Sequence, residues 1–410
     1  MNKKKLCCMI AALLVSVLIS GCRSSDDEQL KSPAREVQQA AVLPEIKAEE
    51  NSISEEKKEL IDISLCTVTV KDKIYQDKFT EPYVRVEYSG KVLTKDRDYI
   101  LLFGDKEDKK SGHYKFTLEM TGDYKGTKEF EYNVRPIGTA ISGFDNKVTS
   151  VTINWHDRNY ICDGYEIGYS NFDDTSYEQI ITLDKADITS YTMEGLAENS
   201  SLSVRIRTYK DIVVNGKAEK LYSPWSIPCE VKTKTIENIN GVTYIDGILI
   251  ANKTYALPPD YGDGMDDTTM DAYYKMYYDA AEEGIYLNIV SGFRSYWLQD
   301  TVYHSFVYER GVEQADRVSA RPGHSEHQTG LAMDINSTWF TFADTPEGIW
   351  LKNNCARYGF IIRYPEGKED ITGYAYESWH IRYVGEELAQ KLTDEGLTLE
   401  EYLGITSCYS

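Results

Sequence analysis

Histidine is scarce in this chain, with 6 in 410 residues, so a site built on imidazole has very few positions to draw on. Cysteine is also sparse, with 8. No two cysteines stand at zinc-knuckle spacing, which argues against a thiolate metal centre of that kind. Positive charge is in deficit: 45 Lys and Arg face 66 Asp and Glu, for a net charge of −21. Nucleic-acid binding needs a basic face to meet the phosphates, so no nucleic-acid partner is expected. The same imbalance says little about substrate, because the sign of a whole chain is not the sign of its cleft. A long apolar run is missing too. The stretch from Leu6 to Ile19 falls short of the roughly 20 residues that span a bilayer as a helix. Finally, residues 23–60 hold no aromatic residue and are rich in Glu, Lys, Ser, Gln and Ala. Such a segment cannot bury enough apolar surface to offset chain entropy, and reads as a disordered tether over 22–60. As a flexible coil it would reach roughly 35 Å end to end. A frayed helix around Ile53–Leu60 is the plainer alternative.

What is present begins at the N-terminus. Lys3, Lys4 and Lys5 precede the apolar run, and Ser20-Gly21-Cys22 follows it, the layout of a secretory signal over residues 1–21. Leu-Ile-Ser-Gly-Cys resembles a bacterial lipobox, which implies that Cys22 becomes the lipidated first residue of the mature chain. An ordinary signal peptide with an incidental cysteine is the competing reading. Two acyl chains on one cysteine suffice for stable anchoring. The expectation is a protein held on the extracellular face of a bacterial membrane without spanning it. Cys7 and Cys8 leave with the signal, so Cys66, Cys162, Cys229, Cys355 and Cys408 remain. Outside the cell a Cys162–Cys229 or Cys355–Cys408 bridge is open.

At this length two or three domains are expected. From 61 to 136 the pattern is period-2: Val68 and Val70; Val84, Val86 and Tyr88; Phe116, Leu118 and Met120; Phe130, Tyr132 and Val134. Turn signals at Ser89-Gly90 and Gly122-Asp123 separate these runs, as in a small β-sandwich. Tyr88-Ser-Gly-Lys-Val-Leu and Gly122-Asp-Tyr-Lys-Gly-Thr resemble a β-repeat of Gram-positive surface proteins. Residues 137–235 read as a second all-β module. Val151-Thr-Ile-Asn-Trp155, Tyr165-Glu-Ile-Gly-Tyr169 and Leu202-Ser-Val-Arg-Ile-Arg207 resemble a fibronectin type III module, with Leu202 where a tyrosine is usual. Both are expected to act as spacers or as units touching wall or protein.

Residues 236–410 mix helical and strand patterns without a regular βαβ repeat, which points to an α+β domain. Helices are expected over Thr268–Glu283, Tyr296–Tyr308 and Glu347–Tyr358. Strands are expected at Ile285–Val290, Leu331–Asn336, Phe360–Arg363 and His380–Val384. The chemistry concentrates in Arg321-Pro-Gly-His-Ser-Glu-His-Gln-Thr-Gly-Leu-Ala-Met-Asp334 and Glu377-Ser-Trp-His380. Alternation puts Asp334 on the face opposite Leu331, Met333 and Ile335, and Gly330 allows a tight turn that returns His327 toward it. His380 arrives from a later segment. Two imidazoles and one carboxylate leave a fourth position open, as a catalytic zinc requires. His324 competes with His327 for that role, and a hydrogen-bonded core His–Asp pair is the non-metal reading. Glu377 suits a general base, the alternative being a surface pair with Arg382. Arg294, at a strand end in Ser291-Gly-Phe-Arg-Ser295, can hold an oxyanion or grip a terminal carboxylate.

Taken together, Ser-Gly-Phe-Arg-Ser with Gln299, Ser325-x-His327-x-x-Gly330-x-Ala332-x-Asp334, and Glu377-x-x-His380-Ile-Arg-Tyr-Val-Gly385 resemble the VanY-type D-alanyl-D-alanine carboxypeptidases. These are M15 zinc peptidases whose fold is shared with the hedgehog signalling domain. The resemblance implies that His327, Asp334 and His380 bind zinc, that Glu377 is the base and that Arg294 stabilises the transition state. It implies that Ser325 and Gln299 lie near the substrate carboxylate, with peptidoglycan stem peptides as substrate. Ser378 departs from it, standing where the family usually has proline. Within this frame the expected activity is removal of a terminal D-alanine. An L,D-carboxypeptidase acting on tetrapeptide stems and a non-catalytic wall-binding module with a relic zinc site are the rivals.

Overall fold

The computed structural model describes residues 58–104 and 110–409. The expected signal segment, the lipidation site Cys22 and nearly all of the tether lie outside the described residues. Among those described, no helix is long and apolar enough to cross a membrane.

Two β-rich regions come first. In one, Lys73–Ile74, Thr127–Arg135, Gly112–Met120 and Tyr99–Phe103 form a four-stranded sheet in that order. It shares a core with the sheet of Thr67–Lys71, Tyr83–Tyr88 and Lys91–Val92. The period-2 residues do the packing: Val86, Phe116, Leu118, Tyr132 and Val134 are all buried, as alternation along a pleated strand requires. In the next region Ile141–Asn146, Val151–Trp155 and Ser190–Met193 form one sheet. A second is built on Gly164–Asn171 and the long strand Ser201–Val214. Trp155 and Tyr165 meet between the two sheets with ring centroids 5.2 Å apart.

A three-stranded meander, Ile236–Ile239, Val242–Ile245 and Ile248–Ile250, joins this region to the rest of the chain. Its two turns, Asn240-Gly241 and Asp246-Gly247, have positive φ at all four residues. That is the type I′ geometry whose twist matches the flanking strands. The β-region packs closely here. Val148 joins Ile245, Ile250, Leu392, Leu399 and Leu403 in one buried cluster, and its amide donates to the Leu403 carbonyl at 3.0 Å.

Beyond the meander lies a four-stranded antiparallel sheet in the order Ile289–Ser291, Ala332–Ile335, Glu377–Tyr383, Phe360–Tyr364. The helix Asp267–Glu282 covers one face with Tyr273, Met276 and Ala280, packed against Met333, Ile335, Phe360 and Ile381. Asp266 caps this helix, accepting from the Thr269 amide, which removes one of its unpaired N-terminal donors. Several boundaries differ from the sequence expectation. Only Ile289–Ser291 of the stretch 285–291 pairs as a strand. Ahead of it, side chains take the backbone groups: the Tyr273 hydroxyl donates to the Leu287 carbonyl, and Asn336 accepts from the Asn288 amide. The helix begun at Tyr296 runs to Arg310, stops at Gly311 and is followed by an unanticipated helix, Val312–Val318. The segment expected to be helical over 347–358 divides into an α-helix, Pro346–Asn354, and a 3-10 turn, Cys355–Tyr358. All five cysteines among the described residues are free thiols, so neither candidate bridge forms.

Candidate active site

Sheet register builds the centre. Asp334 pairs with His380 on one side and with Ser291 on the other, so three adjacent strands set these residues in one row. Glu377 precedes His380 by three positions, which on a regular strand would put the two on opposite faces. The strand is not regular there. The step from Ile362 to Tyr364 faces the longer step from Ile381 back to Glu377, and such a bulge re-aims a side chain. Glu377 Oε2 thereby comes within 3.5 Å of His380 Nδ1.

His327 enters from a 3-10 turn, Glu326–Thr329, that ends at Gly330 with φ +72°. A Cβ on Gly330 would lie 2.4 Å from the Gly264 carbonyl oxygen, so the turn needs glycine for space as well as for backbone angle. The Gly292 carbonyl faces His327 Nδ1 at 2.8 Å. As a carbonyl can only accept, Nδ1 carries the hydrogen and the Nε2 lone pair points inward. Nε2 stands 3.3 Å from Asp334 Oδ2, and His380 Nδ1 stands 3.3 Å from Asp334 Oδ1.

Both separations are long for charge-assisted hydrogen bonds. A charge-assisted hydrogen bond would close to roughly 2.7–2.9 Å. Ligands about 2.0–2.1 Å from a tetrahedral zinc stand roughly 3.3 Å from each other. The ligand atoms of His327, Asp334 and His380 all lie within 4.8 Å of one another. Asp334 Oδ1 is buried without a hydrogen bond. Two imidazoles, one carboxylate and an unsatisfied buried oxygen fit zinc.

Electrostatics separate the roles of the two acids. Burial would push the Asp334 carboxyl up, but His327 and His380 hold it well below the usual carboxylate range. Glu377 goes the other way. Burial, reinforced by the nearby charge of Asp334, pushes it up to about 7, so it can take and release a proton near neutrality. Burial lowers Arg294 while Asp334 and Glu377 favour its charge. Its guanidinium donates to Ser291 Oγ at 2.7 Å and to Gln299 Oε1 at 2.9 Å.

His327, Asp334, His380, Glu377, Arg294 and Ser325 all border one cleft of about 470 Å³. One wall is a helix stripe at four-residue spacing, Val302, Phe306 and Arg310; another carries Trp339 and Phe340. Gln299 is not in the wall. It is 1% exposed, its amide is tied to Ser319 Oγ and the Ala320 carbonyl, and its carbonyl oxygen accepts from Arg294. Its expected place near the substrate carboxylate is one layer back: Arg294, Ser319 and Ala320, which hold its amide, all border the cleft. His324 lies elsewhere, its Nδ1 against the Asn252 carbonyl, which leaves His327 as the inward-facing histidine. The alternative Glu377–Arg382 surface pair does not form either. Arg382 is 1% exposed and donates to Glu326, the Leu249 carbonyl and the Tyr383 carbonyl.

Sequence reasoning passed over Glu326. It is buried between His380, Arg363 and Arg382, and Arg363 also pairs with Glu400. A signal was available: Arg363 and Arg382 sit inside the apolar strands Phe-Ile-Ile-Arg-Tyr and His-Ile-Arg-Tyr. Arginines buried there require buried carboxylate partners.

Known proteins are similar to this chain over the region that holds the cleft. The family model described as VanY: D-alanyl-D-alanine carboxypeptidase matches residues 263–386. The putative carboxypeptidase YodJ of Bacillus subtilis (strain 168) is 41% identical over 239 residues, covering 52% of this chain and 80% of that protein. A D-alanyl-D-alanine carboxypeptidase of Enterococcus faecalis (strain ATCC 700802 / V583) is 35% identical over 174 residues, covering 38% of this chain and 65% of that protein. Among solved structures, the LdcB LD-carboxypeptidase is 42% identical, covering 43% of this chain and 98% of that one, with a TM-score of 0.40.

Proposed function

Because the chain belongs to the VanY family of D-alanyl-D-alanine carboxypeptidases, zinc metallopeptidases, we propose that it removes the terminal D-alanine from peptidoglycan stem peptides with zinc as cofactor. The observation that carries this reading is the convergence of His327, Asp334 and His380, with Glu377 and Arg294 beside them, on one cleft.

His327, Asp334 and His380 would hold the metal. Zinc bound there supplies Lewis acidity toward the scissile carbonyl and acidifies a water it holds. Glu377 accepts a proton from the attacking water and delivers it to the amine of the departing D-alanine, so one C–O bond forms as one C–N bond breaks. Arg294, fixed by Ser291 and Gln299, is set to hold the oxyanion or the substrate's terminal carboxylate. Ser325, 4% exposed in the cleft wall, is a candidate contact for that carboxylate. Gln299 acts here as a positioning residue for Arg294.

The signal segment and Cys22 support a lipid anchor on the extracellular face of the membrane. We assign 61–136 to a surface β-repeat and 137–235 to a fibronectin type III-like module. The second assignment is supported by its three-stranded sheet facing a larger one across Trp155.

The test uses the described chain with soluble muramyl pentapeptide and tetrapeptide, with and without chelator, read by mass spectrometry. Chelator-sensitive loss of one alanine from the pentapeptide alone supports the D,D reading. Loss from the tetrapeptide moves the assignment to an L,D-carboxypeptidase. No cleavage of either substrate by the zinc-loaded protein would leave a non-catalytic wall-binding module.

A further inference from the structure

Two buried atoms beside the site face each other and have no other partner. Glu326 Oε2 and His380 Nε2 stand 3.6 Å apart, just beyond hydrogen-bond distance, and neither has a hydrogen-bond partner. Their side chains are 0% and 5% exposed, so bulk water does not satisfy them. The other oxygen of Glu326 is taken: Arg363 Nε reaches Oε1 at 2.7 Å and Arg382 Nη1 at 2.8 Å. Both guanidiniums are held in turn, Arg363 by Glu400 and Arg382 by the Leu249 and Tyr383 carbonyls.

Guanidinium can only donate, so this clamp keeps Glu326 a charged acceptor. It can offer His380 nothing but a lone pair. In the neutral ring that a metal ligand requires, His380 Nε2 then carries the hydrogen, which leaves the Nδ1 lone pair facing Asp334. His327 is set the opposite way, with Nδ1 donating to Gly292 and Nε2 facing Asp334. We propose that Glu326 is a positioning residue that fixes the ring orientation and tautomer of His380, so that one histidine ligates through Nε2 and the other through Nδ1. This rests on the zinc site proposed above. It is not a fourth ligand, because it meets His380 at the ring nitrogen turned away from Asp334. A carboxylate in this role is typically worth about 10–100-fold in metal affinity.

The discriminating variant is Glu326→Gln in the full chain. Its amide oxygen is drawn to the two arginines, which turns the NH2 group toward His380 Nε2. Two donors then face each other unless the imidazole hydrogen moves to Nδ1, where it blocks the metal. Zinc affinity, measured by competition with a chromophoric chelator, should fall by about 10–100-fold. A melt of both chains in chelator confirms that the variant folds. Independently, long-range proton–nitrogen spectra of the zinc-loaded natural chain should show hydrogen on His380 Nε2 and on His327 Nδ1. That measurement stands even if the variant does not fold. Unchanged zinc affinity in a folded Glu326→Gln chain, or an unprotonated His380 Nε2 in the natural one, overturns the proposal. A natural chain that takes up no zinc at all overturns the metal reading itself, which is a distinguishable result.

Discussion

Glu377→Gln should stabilise the metal-free protein while destroying its activity, and the gap should depend on pH in a defined way. Burial holds the Glu377 carboxyl at about 7 in place of an ordinary 4.5. At 1.36 kcal/mol per pH unit, the fold then favours the protonated acid over the carboxylate by about 3 kcal/mol. The side chain is 15% exposed, so this figure is a ceiling. A raised carboxyl contributes stability that is complete below pH 4.5, where folded and unfolded chains are both protonated. That stability is lost as pH rises through about 7, because the unfolded chain has shed its proton and the folded chain must shed one at a cost. Glutamine is close in shape to the protonated acid and does not ionise. The two chains should therefore melt together near pH 4.5, and the variant should exceed the natural protein by up to about 3 kcal/mol above pH 8. For a domain of this size that is roughly 6–12 °C in melting temperature. The assay is a pair of melts in chelator at the two pH values, followed by tryptophan fluorescence. Zinc should narrow the gap, since a divalent cation favours the carboxylate. Turnover by the zinc-loaded variant should fall by about 10²–10⁴-fold. A stability gap that is independent of pH would refute the reasoning, because the carboxyl would then be solvated and no better a base than any surface glutamate.

Three further outcomes follow from the same geometry. His380→Ala should lose both zinc and turnover whereas Glu377→Ala should keep zinc and lose turnover, as metal content after desalting and product release would show. Full activity in Glu377→Ala would remove the proposed base. Arg294→Ala should lower kcat/KM by about 10²–10³-fold, but Gln299→Ala only by about 10-fold, because one hydrogen bond to a guanidinium is worth about 1.5 kcal/mol at the low end and Ser291 remains as the second anchor. Equal losses in steady-state kinetics would place the amide of Gln299 on the substrate. Gly330→Ala combines a positive φ with a Cβ 2.4 Å from the Gly264 oxygen and should cost about 3 kcal/mol or more in denaturant titration. Zinc affinity should fall with it, because the His327 turn must shift.

Much of this protein was legible in its residues. Period-2 alternation marked the buried positions of the first β-region, because a pleated strand sends neighbours to opposite faces whatever it pairs with. The motif around His327 and Asp334 and the later Glu377-x-x-His380 pointed to residues that converge on one cleft, because histidine is rare here. Asn240-Gly241 and Asp246-Gly247 were equally readable as hairpin turns, though they were overlooked.

Other features exist only through contacts distant in sequence. Spacing alone would set Glu377 and His380 on opposite faces; the bulge against Ile362 and Tyr364 brings them together, and a bulge depends on the partner strand. Gln299 looked like a substrate contact until packing put it behind Arg294. His324 and His327 are alike as residues, and only the carbonyls that meet their rings, Asn252 for one and Gly292 for the other, decide which turns inward. Glu326 could be seen as a charge in the chain. That it orders His380 follows from two arginines 37 and 56 positions away. Residue chemistry is local and can be read one position at a time, whereas burial, protonation and ring orientation belong to the assembled neighbourhood.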